Sequence, residues 1–264
     1  MLVNGAELAH RDELSGEESE APIVFLHAFP LNQSMWDDQA PAFSDRHRVI
    51  TFDWRGFGGS RLGPETATMN HFADDLARLL NELGIKRAII CGLSMGGYAA
   101  FAFYRKYAGM ISALILADTR AKADTEEGRK ARRDTAELVR RSGPSALVEM
   151  MIPKLIGATT LRNDPHIAER VRKMIESNTA EGIAQASLAM AAREDSTDLL
   201  ERIDCPSLVV VGAEDNLTPP SEAENMCGAI RNARLEVIAG AGHLPNIEQA
   251  DVFNLAIARF IENL

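Results

Sequence analysis

Six short runs of Ile-, Val- and Leu-rich sequence recur along this chain: PIVFLHA (22–28), RVITFDW (48–54), RAIICG (87–92), SALILAD (112–118), PSLVVVG (206–212) and RLEVIAG (234–240). A strand with one wet face alternates apolar and polar residues. A nearly continuous apolar run needs cover on both faces, which is the environment of a parallel sheet. Helical stretches separate the runs. In MNHFADDLARLLNELG, Met69, Phe72, Leu76, Leu79, Leu80 and Leu83 follow a 3.6-residue period, and Gly84 is a good stop. Near the end, Phe253, Ile257, Phe260, Ile261 and Leu264 fall on one helix face. Strands alternating with helices imply an α/β fold, a mostly parallel central sheet with helices on both faces and right-handed crossovers. An opening hairpin over about residues 1–12 is also expected.

One stretch breaks the alternation. From about Ala121 to Arg193 no strand is legible, and TEEGRKARRDTAELVRR, SALVEMMIPKLIG, IAERVRKMIES and EGIAQASLAMAAR all read as helices. The expected organisation is a core of residues 1–120 and 194–264, interrupted by a helical cap over 121–193. At 264 residues the chain has length enough for one sizeable core with such an insertion.

Composition narrows the function classes. Hydrophobic residues at 46% and charged residues at 25% belong to an ordinary soluble globular protein. The 28 basic against 38 acidic residues leave a net charge of −10, a surface that repels phosphate backbones and argues against a nucleic-acid partner. No apolar run approaches the roughly 20 residues that cross a bilayer. The opening MLVNGAELAHRDELSGEESE has neither the basic nor the apolar region of a signal peptide, so a cytoplasmic location is expected. Cys91, Cys205 and Cys227 are odd in number and widely spaced; they form neither a disulfide framework nor a metal-binding pair.

Chemistry enters at CGLSMGGYAAF (91–101), where Gly92-Leu93-Ser94-Met95-Gly96 fits G-x-S-x-G between an Ile-rich strand and a helical stretch. In such a turn the serine is held in a strained backbone conformation with its hydroxyl presented. Small residues two before and two after it avoid a clash, and the helix N-terminus that follows favours a developing anion. With this context the sequence resembles the α/β-hydrolase superfamily, in its capped esterase and lactonase branch, over nearly the whole chain. Three further features carry the resemblance: His27-Ala28-Phe29-Pro30; Asp53-Trp54-Arg55-Gly56-Phe57-Gly58-Gly59-Ser60; and the pair Gly212-Ala213-Glu214-Asp215-Asn216-Leu217-Thr218-Pro219 and Gly242-His243-Leu244-Pro245.

The resemblance implies a nucleophile, Ser94, with His243 as base and Asp215 as acid, in the chain order usual for this fold. Asp118, after SALILA, is the alternative acid. It further implies an oxyanion hole from the Phe29 and Met95 N–H groups, with Ala28 standing where the family usually has glycine. His27 is implied to brace its loop, and Asp53 and Arg55 to form a local structural ion pair. Leu31, Trp36, Met150, Met151, Leu217 and Leu244 are the expected pocket residues, with Ile152, Met174 and Met190 as further apolar contributors from the cap. The implied reaction is hydrolysis of small-to-medium acyl or aryl esters, or of lactones including acyl-homoserine lactones, through an acyl-enzyme and without metal or cofactor. A carbon–carbon bond hydrolase, a cofactor-free perhydrolase or haloperoxidase, and a binding receptor are the other activities known on this scaffold. The expected partner is a small molecule, with monomer and homodimer both open.

Overall fold

The computed structural model describes residues 1–16 and 20–264. Two short strands, β1 (Leu2–Val3) and β2 (Ala6–Glu7), form the opening hairpin. Seven more make the main sheet: β3 (His10–Glu13), β4 (Ile23–Leu26), β5 (Val49–Phe52), β6 (Ala88–Leu93), β7 (Ile111–Ala117), β8 (Ser207–Gly212) and β9 (Ala233–Ile238). Their order across the sheet is β3-β5-β4-β6-β7-β8-β9, and every pairing is parallel except β3 with β5. All six apolar runs are strands. Every residue of β4, β5, β6 and β8 is buried, so both faces of the sheet centre are covered, as the unbroken runs require. The outer strand β9 is half exposed.

Twelve α-helices are present among the described residues. The first three are α1 (Ala40–Phe43), α2 (Met69–Glu82) and α3 (Met95–Tyr107). Between β7 and β8 come α4 (Glu126–Ser142), α5 (Val148–Leu155), α6 (Ala158–Asn163), α7 (Pro165–Glu176), α8 (Ala180–Ala191) and α9 (Thr197–Leu200). After β8 follow α10 (Pro220–Ala229), α11 (Pro245–Glu248) and α12 (Ala250–Ile261). The Thr68 side chain caps α2 by accepting from His71 N, and Thr125 and Thr179 cap α4 and α8 in the same way. Helix α12 buries Phe253, Ile257, Phe260 and Ile261; Leu264, expected on that face, lies beyond the last turn and is exposed. No helix among the described residues is long and apolar enough to cross a membrane.

The helices between β7 and β8 are tied to the loops at the carboxyl ends of the strands. Asn178 donates to the carbonyls of Pro30 and Leu31 and accepts from Gly58 N. The Thr179 hydroxyl donates to Gly56 O at 2.7 Å. There α8 touches the Asp53–Ser60 loop backbone to backbone: a Cβ on Gly182 would sit 2.0 Å from Gly56 O. That loop is structural, but its ion pair differs from the expected one. Arg55 pairs with Asp75 of α2, through two hydrogen bonds of 2.8 and 2.7 Å in a fully buried bidentate contact. Both Asp53 oxygens are already occupied by Gln33 N, Gln33 Nε2 and Gly59 N, which leaves Arg55 to a partner distant in sequence.

Gly182→Ala should therefore lower stability by about 1–3 kcal/mol, as overpacking does. Gly228→Ala, in α10 with open space around its Cβ position, should be neutral or stabilising by up to about 1 kcal/mol. Urea denaturation of the two variants beside wild type checks both signs; equal effects would refute the close approach of α8 to the Gly56 loop.

Candidate active site

Each residue singled out for chemistry sits just past a strand's carboxyl end: His27 to Phe29 after β4, Ser94 after β6, Asp118 after β7, Asp215 after β8 and His243 after β9. In open α/β sheets this edge is where ligands bind. Ser94 has φ 55° and ψ −110°, a left-handed backbone that a side chain rarely adopts. Its N–H donates to Ala117 O, and its carbonyl accepts from Gly97 N, Tyr98 N and the Thr119 hydroxyl. The turn leaves no room for side chains on either flank. A Cβ on Gly92 would lie 2.4 Å from Gly96 O, and one on Gly96 would lie 2.1 Å from Leu26 O.

Ser94 and His243 open onto one cavity of about 430 Å³. His243 Nδ1 bonds Asp215 Oδ2 at 2.8 Å, and both residues are buried. Oδ2 also accepts from the Thr218 hydroxyl at 2.6 Å, while Oδ1 accepts from Leu217 N and Thr218 N. Burial pushes the Asp215 carboxyl up, but the charge and hydrogen bond of His243 and the bonds from Thr218 outweigh it and hold the carboxyl below its ordinary value. With Nδ1 engaged, Nε2 is the nitrogen left for chemistry. The neighbouring Glu214 turns away to accept from Thr159 N and the Thr159 hydroxyl.

The loop carrying His243 depends on Glu248, which the sequence reading passed over. One Glu248 oxygen accepts from Gly242 N and Leu244 N, and the other accepts from Gly157 N, just before α6. His243 N itself donates to Leu155 O. The available signal was local: an acid three residues after Pro245 at a helix start, where it can reach free N–H groups.

Asp118 shares the site without sharing the contact to histidine. It has φ 42°, its Oδ1 accepts from Gly212 N at 2.9 Å, and its buried Oδ2 has no hydrogen-bond partner among the described residues. Burial, then the nearby negative charge of Asp215, raises its carboxyl well above the ordinary range. Asp118, Asp215 and His243 each offer an atom within 4.8 Å of the others, a metal-like spacing. A carboxyl whose charged form is disfavoured and a histidine nitrogen already bonded to a carboxylate make a poor donor set for a cation.

His27 does not reach the cavity. Trp54 N donates to its Nε2 at 3.0 Å, which fixes the tautomer with Nδ1–H donating to Ala28 O. Burial lowers its pKa to about 4, so the ring is neutral. Phe29 lines the cavity, and neither Phe29 N–H nor Met95 N–H has an acceptor among the described residues. Of the expected pocket residues, Met150, Met151 and Leu217 line the cavity. Leu31, Trp36 and Leu244 do not: all three are core residues with no exposed surface. The Trp36 ring packs 4.8 Å from Phe25 on the sheet, and Leu244 is drawn inward as its N–H bonds Glu248. Ile152, Met174 and Met190 are likewise absent from the lining: Met174 and Met190 pack within the core, and Ile152 is half-buried against it. The cavity lining is instead partly charged, with Arg120, Arg132, Lys154, Asp124 and Asp134.

A family profile described as alpha/beta hydrolase fold matches residues 21–250. A 3-oxoadipate enol-lactonase of Acinetobacter baylyi is 30% identical over 92% of this chain and 89% of its own length. A thermophilic esterase from Thermogutta terrifontis, solved with malate bound, superposes with a TM-score of 0.94 at 46% identity, covering 98% of this chain and 94% of the other. The enol-lactonase of Burkholderia xenovorans superposes at 0.90 with 31% identity and 99% coverage of both chains.

The raised Asp118 carboxyl has a measurable consequence. Below the ordinary value of 3.8 both the folded and the unfolded chain hold the proton. As pH rises the unfolded chain ionises first, so the fold loses stability until its own raised value is passed. Asp118→Asn keeps an acceptor for Gly212 N and removes that loss. Its stability relative to wild type should increase as pH rises above the ordinary carboxyl value in urea titrations. A difference independent of pH would show that the Asp118 carboxyl is not raised.

Proposed function

Because this chain belongs to the α/β-hydrolase family, we propose that it is a serine hydrolase of carboxylic esters and lactones, acting through Ser94, His243 and Asp215. The observation that carries the reading is Ser94 on a left-handed turn, sharing a cavity with a histidine whose Nδ1 is bound to a buried carboxylate. The enol-lactonase and esterase relatives support the bond type.

In this mechanism His243 Nε2 takes the Ser94 proton as the hydroxyl oxygen attacks the carbonyl carbon. Asp215 fixes the tautomer through Nδ1–H and stabilises the imidazolium that forms. The unengaged N–H groups of Phe29 and Met95 receive the oxyanion, each contributing on the order of 3 kcal/mol by comparison with deletions of such donors. The start of α3 adds a favourable dipole at the same place. His243 then protonates the departing alcohol, and water cleaves the acyl-enzyme by the same route. In a lactone the departing alcohol stays tethered to the acyl group. Thr218 and Glu248 act as positioning residues, one on Asp215 and one on the His243 loop.

A panel of p-nitrophenyl esters of increasing chain length, with acyl-homoserine and aryl lactones, tests the reading. Ser94→Ala and His243→Ala should each reduce kcat on the order of 10³- to 10⁶-fold, because the members act as a unit. A fluorophosphonate should label wild type at Ser94 and fail to label Ser94→Ala. Asp215→Asn should lose activity by orders of magnitude while Asp118→Asn retains most of it; the reverse result would move the acid to β7. Wild-type turnover by Ser94→Ala would end the proposal.

A further inference from the structure

The charged wall of the cavity is built around one carboxylate. Asp124 is buried, and three guanidinium groups converge on it. Arg193 reaches both of its oxygens at 2.8 and 3.0 Å, Arg120 donates to Oδ1 at 2.6 Å, and Arg132 donates to Oδ2 at 3.3 Å. Hydrogen bonds and charge from these arginines outweigh the effect of burial and hold the Asp124 carboxyl down to about 2, so it is fully ionised. One negative charge therefore faces three positive ones. Arg193 also stacks over the Tyr98 ring at 4.2 Å and has no free face.

Arg120 and Arg132 line the cavity and each spends one nitrogen on Asp124, leaving donors in hand. Arg120 Nε is buried without a hydrogen-bond partner among the described residues. Lys154, which also lines the cavity, has no ion pair among them, and Asp134 is already paired with Lys130. A chain of net charge −10 thus keeps an excess of positive charge in the lining of its Ser94 cavity. Arg132 lies over the Phe29 ring, 5.8 Å from its centroid, so this charge is one aromatic ring from the residue whose N–H is to hold the oxyanion.

We infer that this cavity selects esters and lactones bearing a free carboxylate a short chain away from the reacting carbonyl, with Arg120 and Arg132 as its anion subsite. The inference deepens the ester-hydrolase reading and rests on it. A carboxylate fits the planar fork of a guanidinium, which binds it through two parallel N–H···O bonds. A dianion would also meet the Asp124 and Asp134 carboxylates in the same lining, so a single negative charge is favoured. The subsite also accounts for a polar wall where apolar neighbours alone would suit a plain alkyl ester.

Two substrate pairs test it. The first is monomethyl glutarate against the methyl ester of glutaric acid monoamide, with the charge on the acyl side. The second is O-acetylglycolate against O-acetylglycolamide, with the charge on the alcohol side. In at least one pair wild type should prefer the anion about ten-fold or more in kcat/KM, mainly through KM. Arg132→Gln should bring that ratio towards one, and Arg132→Lys should restore part of it. Hydrolysis of the neutral members reports on the ester-hydrolase reading by itself: equal rates within both pairs would overturn the anion subsite and leave that reading standing. A binding measurement covers the case in which no probe is turned over. Glutarate at constant ionic strength should raise Tm more than glutaramide, and Arg132→Gln should abolish the difference; the absence of any such difference in wild type would then overturn the subsite.

Discussion

The approach of β4 to the turn after β6 is the contact on which the rest depends. Gly96 lies so near Leu26 O that no side chain fits between them, and the helix α3 can start only because Ser94 takes a left-handed backbone. That strain is held by the sheet: Ser94 N is bonded to β7, and its carbonyl is bonded to Thr119 just beyond β7. The hydroxyl is thus fixed by three neighbouring parallel strands, and each of the other site residues leaves the same edge of the sheet. The price of the turn is local strain of about 1–3 kcal/mol, tolerable in a core of this size.

The helices inserted after β7 do more than roof the cavity. Gly157 N, at the start of α6, and the carbonyl of Leu155, at the end of α5, are bonded to Glu248 and to His243 N respectively. Thr159, at the start of α6, holds Glu214 beside Asp215. Asn178 and Thr179 hold the Phe29 and Gly56 loops. Insert and core therefore share the hydrogen bonds that orient the candidate base, acid and oxyanion loop, so movement of these helices would be felt at all three.

The centre of the sheet was readable because β4, β5, β6 and β8 are buried on both faces and so carry an unbroken apolar signature. Strand β3 was hidden, since His10–Glu13 is a charged outer strand held by its ladder with β5 and carries no apolar signal of its own. Ser94, Asp215 and His243 were legible because each follows a strand within a distinctive loop. Pocket lining was not legible in the same way. Leu31, Trp36 and Leu244 neighbour motif residues in sequence, but nearness along the chain does not fix a side chain's direction: Trp36 sits on the short helical turn Gln33–Trp36 with its ring against Phe25, and Leu244 is at the start of α11. The Arg55–Asp75 pair and the Asp124 cluster join residues from separate elements, and local sequence holds no record of such a meeting.

Asp118 and Asp124 show how one fold sets two buried carboxyls against each other. Asp118 has a single backbone donor and a negative neighbour, so burial dominates and raises its carboxyl well above the ordinary range. Asp124 is given three guanidinium groups, and their charge dominates burial. The first disfavours a second negative charge beside Asp215, the carboxylate that supports the imidazolium in the proposed mechanism. The second leaves positive charge in excess in the cavity lining. An entering carboxylate would therefore meet a field of favourable sign from the Asp124 cluster, while the raised Asp118 carboxyl disfavours a second repelling charge at the reacting end.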